Sequence, residues 1–161
     1  MIMLSRVGSR FRREFQSESA AKRADSGGEK KKEERMSINV NYDPETGVLE
    51  TTLSGSVTRP VLEEATAQAA ALARDNDCTL FLSDCRQIEA EFSVFDVYDL
   101  PEIQTEHGIE RSARIALVAP TTKLGKKMAE FYETVSVNRS WSARVFEDRL
   151  DTLNWLLANQ S

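Results

Sequence analysis

Four consecutive segments decide the fold: Arg114-Ile-Ala-Leu-Val-Ala119, a helical pattern from Lys123 to Arg139, Ser142-Ala-Arg-Val-Phe146, and a second helical pattern from Arg149 to Ala158. Short apolar strands, each followed by an amphipathic helix, are the repeat unit of a parallel α/β sheet. Upstream, Thr79-Leu-Phe-Leu-Ser-Asp84 is apolar without alternation at its centre, as befits an interior strand covered on both faces. It ends in Asp84-Cys-Arg86, and the residues from there to Phe92 read as a loop. Ser93-Val-Phe-Asp96 fits a capping box with Asp in place of Glu. Pro101 is expected to break or restart the helix that follows, with Asp99 capping the second piece. His107-Gly108 ends it, with Gly where a left-handed residue is needed.

The folded part opens with a hairpin. Ile38, Val40 and Tyr42 alternate with polar neighbours, as do Leu49, Thr51 and Leu53, and Asp43-Pro-Glu-Thr-Gly47 between them supplies a turn proline and a glycine. Thr58-Arg-Pro60 starts a helix whose buried stripe is Val61, Leu62, Ala65, Ala69, Leu72 and Ala73. The expected fold class is therefore α/β: an N-terminal hairpin followed by βα units, giving a five-stranded mixed, mostly parallel sheet with helices packed on it.

Charge divides the chain of 161 residues in two. Residues 1–35 hold ten Lys/Arg against six Asp/Glu, net +4, and residues 36–161 hold eleven against twenty, net −9. The first part has too few apolar residues to bury anything and reads as a disordered basic tail or upstream extension. Residues 36–161 read as one domain. So acidic a domain is a poor fit to nucleic acid, and no apolar run approaches the ~20 residues of a membrane span. Cys78 and Cys85 flank the strand at 79–84, which places them ~23 Å apart at ~3.3 Å per residue and on opposite faces. They cannot form a disulfide with each other, and reduced thiols point to a cytoplasmic location. No metal-ligand spacing occurs and no cofactor motif is present.

Several motifs carry a family likeness: Gly55-Ser-Val-Thr58, Leu82-Ser-Asp-Cys-Arg86, Phe131-Tyr-Glu-Thr-Val-Ser-Val-Asn-Arg139, Arg144-Val-Phe146 and Leu153-Asn-Trp-Leu156. Over roughly residues 37–158 the chain resembles the SpoIIAA-like superfamily. That superfamily includes the STAS anti-sigma-factor antagonists and shares its architecture with the CRAL-TRIO lipid carriers. The likeness is to its bacterial branch of small stand-alone proteins of unassigned function. STAS switches carry Asp-Ser before the second helix, where the serine is phosphorylated; here the place reads Glu91-Phe-Ser93, making Ser93 the approximate counterpart. The branch usually shows Asn-Arg-Gly after the third helix, where this chain has Asn138-Arg-Ser140.

Candidate sites each stand beside a structural explanation. His107, the single histidine, sits where a helix end favours it. Asp84 with Glu89 and Glu91 could be imagined as a carboxylate pair, but acids beside a strand end are ordinarily solvated or capping. Ser93 is either a helix cap, worth ~1 kcal/mol, or the phosphoacceptor that the resemblance implies. Lys123, Lys126 and Lys127 share one helix face near its start, against the macrodipole. With Arg86 and Thr122 they would form an anion-recognising edge where open α/β sheets bind ligands; nearby acids neutralising them is the alternative. Phe92, Phe95 and Tyr98 are core residues or the gate of an apolar pocket.

The reading that follows is a non-catalytic regulatory or protein-interaction module that recognises an acidic partner or anion, with a homodimer as one form of partner. Its rival is a carrier or sensor of a small apolar or amphipathic ligand. A closed core under the second helix favours the first, and a lined cavity of ~300 Å³ or more the second.

Overall fold

The computed structural model describes the backbone of residues 13–16 and the whole of residues 35–158. The strands are β1 (Arg13–Gln16), β2 (Ser37–Asp43), β3 (Val48–Val57), β4 (Leu80–Ala90), β5 (Arg114–Val118) and β6 (Ser142–Phe146). The helices are α1 (Arg59–Asn76), α2 (Val94–Glu106), α3 (Lys123–Asn138) and α4 (Arg149–Leu157). β3 to β6 run parallel, and β2 pairs antiparallel with β3. The expected five-stranded mixed sheet is therefore present, and β1 adds a short antiparallel strand to its outer edge, with Arg13 opposite Val40. The reading of residues 1–35 as a disordered tail otherwise lies outside the described residues; its described pieces are this strand and Arg35.

Strands follow one another across the sheet in chain order. Successive right-handed crossovers that step in one direction place their helices on one face. Accordingly α1, α2 and α3 share the larger core, which includes Leu49, Leu53, Phe81, Val97, Ile115 and Tyr132. The nine-residue α4 covers the other face over Leu80, Leu82, Ala116 and Val118, with Leu156 fully buried. Beyond α4 that face is polar: Asn39 opposes Thr52, and Asn41 opposes Glu50.

Local chemistry sets the ends of the elements. In the β2–β3 turn Gly47 takes φ +78° and its N–H donates to the Asp43 carbonyl at 2.8 Å. α1 carries Pro60 in its first turn after Thr58. His107 is the C-cap of α2, and Gly108 after it takes φ +93°.

Three expectations are corrected. β4 does not stop at Asp84 but runs to Ala90, so residues 86–90 are strand; β3 is long enough to pair with them, through Val57 opposite Ala90. One extra β4 residue between Asp84 and Gln87 makes a bulge there. Cys78 lies before β4, outside its alternation, so both cysteines join the same core. α2 passes through Pro101 unbroken, and Asp99 pairs with Arg59 at 2.8 Å instead of capping a second piece. Trp155 on α4 is half-buried. Its ring lies under the Arg114 guanidinium at 4.3 Å, and the neighbouring Leu156 fills the core.

Candidate functional site

The parallel strands deliver every helix start to one edge of the sheet. α3 begins there after Ala119-Pro120, with the Thr122 hydroxyl accepting from the Gly125 N–H at 3.0 Å. Gly125 is required: a Cβ on it would lie 2.5 Å from the Pro120 side chain. Lys123 and Lys127 are exposed, and Lys126 pairs with Glu147 at 3.6 Å. Leu124 between them is 61% exposed.

Arg86 does not join these lysines. It lies on β4 and binds both carboxylate oxygens of Asp84, through Nε at 3.0 Å and Nη2 at 2.8 Å. Strand alternation places Asp84 with Leu80 and Leu82 on the face carrying α4. A second pair, Arg149 on Glu50, stands near it on the same face. The Arg86 bond is the main reason the Asp84 carboxyl titrates below the usual range. The lysines thus stand on α3, and Arg86 stands in a carboxylate–guanidinium cluster with Asp84 on β4.

α2 opens on a complete capping box. The Ser93 hydroxyl accepts from the Asp96 N–H at 3.2 Å, and the Asp96 carboxylate accepts from the Ser93 N–H at 2.7 Å. This last bond is the largest cause of the lowered Asp96 pKa. Arg59 ties α1 to this turn, reaching Asp96 at 3.3 Å and Asp99 at 2.8 Å. Ser93 is exposed, with its hydroxyl committed to the cap. Val94, Phe95 and Tyr98 point outward from the same turns, Phe95 being 79% exposed. Arg139 from the end of α3 lies over the Tyr98 ring at 4.2 Å.

Beneath α2 is a cavity of about 130 Å³. Phe92 lines it as expected, whereas Phe95 and Tyr98 do not. At 100° per residue the inward stripe of α2 is Val97, Leu100, Pro101 and Gln104, which turns positions 95 and 98 to solvent. The floor is Thr51 and Ser83, partners across β3 and β4, and the Gln104 amide nitrogen donates to the Tyr132 hydroxyl at 2.8 Å. The sequence reading missed Thr51, Ser83, Gln104 and Tyr132. A signal for the first two existed, since each is a polar residue within an apolar row (Leu49, Thr51, Leu53 and Phe81, Ser83, Cys85), but their meeting depends on register.

Burial pushes both thiols up, Cys85 to about 12. Among the described residues no three His, Cys, Asp or Glu groups converge as metal ligands, and no helix is long and apolar enough to cross a membrane.

No protein-family model matches the chain, and no curated protein does. Among solved structures it is similar to an uncharacterized protein of the DUF3478 family with a SpoIIAA-like fold from Shewanella loihica PV-4. The identity is 18%, covering 80% of this chain and 99% of that one, with a TM-score of 0.53. It is also similar, at 10% identity and a TM-score of 0.46, to the anti-sigma factor antagonist SpoIIAA in its unphosphorylated form, over 71% of this chain and 91% of that one.

Proposed function

We propose that this chain, SpoIIAA-like in fold, is a non-catalytic regulatory module that binds a protein partner across the starts of α2 and α3. The observation that carries the reading is the outward placement of Phe95, 79% exposed, with Val94 and Tyr98 on a helix turn held by the capping box and by Arg59. A large side chain presented on a rigid turn loses little entropy on binding and makes a natural anchor. Phe92 and Val97 at the start of α2 and Pro120 and Gly125 at the start of α3 line one cavity, so the two exposed patches belong to elements that enclose the same hollow. Leu124 offers a second exposed apolar side chain at the start of α3, with the exposed Lys123 and Lys127 beside it. The partner expected is apolar at its centre with acidic groups around it. Two groups that a catalyst would use are otherwise engaged: Asp84 is tied to Arg86, and the thiols are held protonated.

The test is a double variant, Phe95→Asp with Leu124→Asp. Both side chains are exposed, so the melting curve is expected to stay within a degree or two of the native one. Capture of the partner from host extract, identified by mass spectrometry, is expected to be lost. The native capture should also weaken with added salt through Lys123 and Lys127. Where the partner is a second copy of this chain, sedimentation shows a native dimer and a monomeric variant. Undiminished capture by the folded variant overturns the reading.

A further inference from the structure

We propose that the cavity beneath α2 binds a small apolar molecule, about one ring in size, that carries a single hydroxyl group. Its volume of about 130 Å³ is near the ~150 Å³ at which an apolar protein cavity holds benzene. It is well short of the ~300 Å³ at which pockets for larger ligands begin, which excludes an acyl chain. Small side chains on facing elements create the space: Ala65 and Ala69 on α1, Gly125 and Ala129 on α3, and Thr51 and Ser83 on the sheet. Ser83 and Leu117 lie in the inner strands under the helical layer yet are partly exposed, so solvent reaches them through the hollow.

Polar groups in the lining choose the ligand. Gln104 is only 8% exposed; its amide nitrogen is bonded to Tyr132, and its oxygen has no hydrogen-bond partner. Turning the amide over would leave the nitrogen unpaired instead, so in either orientation one polar atom lacks a partner. Among the described residues, no hydrogen bond engages the Thr51 or Ser83 hydroxyl either. A ligand hydroxyl, both donor and acceptor, matches the amide in either orientation. A charged ligand is excluded, because no Lys, Arg, His, Asp or Glu lines the cavity and an unpaired charge is too costly to bury there.

Phenol and toluene are the probes, alike in size and differing by hydroxyl against methyl. Titrated into the full chain and followed by methyl NMR, phenol is expected to give saturable shifts at Val97, Ile115 and Leu117. It should bind at least as tightly as toluene, although water solvates it better. In Gln104→Leu the ratio of the two affinities is expected to move toward toluene by about tenfold, the worth of one hydrogen bond. An unchanged ratio in a folded Gln104→Leu overturns the proposal, as does toluene binding tighter than phenol in the native chain. If that variant does not fold, the native titration decides alone. Failure to saturate, or shifts confined to surface residues, then overturns it, the cavity holding only water.

Discussion

Asp84 illustrates what a single residue's environment does. As a sequence position it reads as the last residue of a strand, beside a free arginine. In the fold it is buried, and Arg86 two positions on returns across the bulge to hold both its oxygens. Its carboxyl is therefore depressed in the folded state relative to ~3.9 in the unfolded chain. The sign follows: this stabilisation is fully present above about pH 4 and is lost as pH falls from there through the folded value. Asp84→Asn is expected to be less stable than the native protein at pH 7 and to converge with it below pH 4. Urea unfolding at pH 7, 5, 4 and 3 measures this, and a constant gap across that series would show that Asp84 contributes through packing alone.

At the scale of elements, α2 and α3 show how local signals compete with tertiary demand. Pro101 removes one backbone hydrogen bond, which ordinarily ends a helix. Here the α2 face bearing Val97, Pro101 and Ile103 is buried, and the helix continues. The carbonyl left without its helical donor is that of Val97, four residues before the proline. After α3 the chain turns through Ser140 at φ +73°, the left-handed conformation that glycine adopts freely. Ser140→Gly is expected to stabilise the domain by ~1 kcal/mol, read as a raised denaturant midpoint with an unchanged slope. A fall in the midpoint would mean that the serine side chain makes a compensating contact.

For the whole molecule the governing fact is asymmetry between the two faces of the sheet. Three helices cover one face, and the other depends on nine residues of α4. Leu156 and Thr152 are the fully buried residues of that thin cover, whereas Leu157 beside Leu156 is exposed. Leu156→Ala is expected to cost about 3 kcal/mol, within the range for a buried leucine, and Leu157→Ala less than about 0.5 kcal/mol. Equal effects in thermal and denaturant unfolding would show that α4 frays from the sheet. The thick face has room for a hollow as well as a core, and the cavity beneath α2 lies in it.

Much of this was legible in the chain itself. Period-2 and continuous apolar runs located β2 to β6, helical periodicity and caps located α1 to α4, and together they set the βα order, because such patterns depend on neighbours within a few residues. Ser93 with Asp96 and His107 with Gly108 were readable for the same reason. What only the tertiary structure decided involves residues far apart in sequence. The register that seats Thr51 beside Ser83 brings two isolated polar positions together on the floor of a cavity. The Arg86 guanidinium closes on the Asp84 carboxylate, and the fold brings Arg149 and Glu50 up beside that pair from 99 residues apart. Which face of α2 is buried separates Phe92 from Phe95 and Tyr98, for a helix can be recognised from its own residues, but the side it buries is chosen by what packs against it.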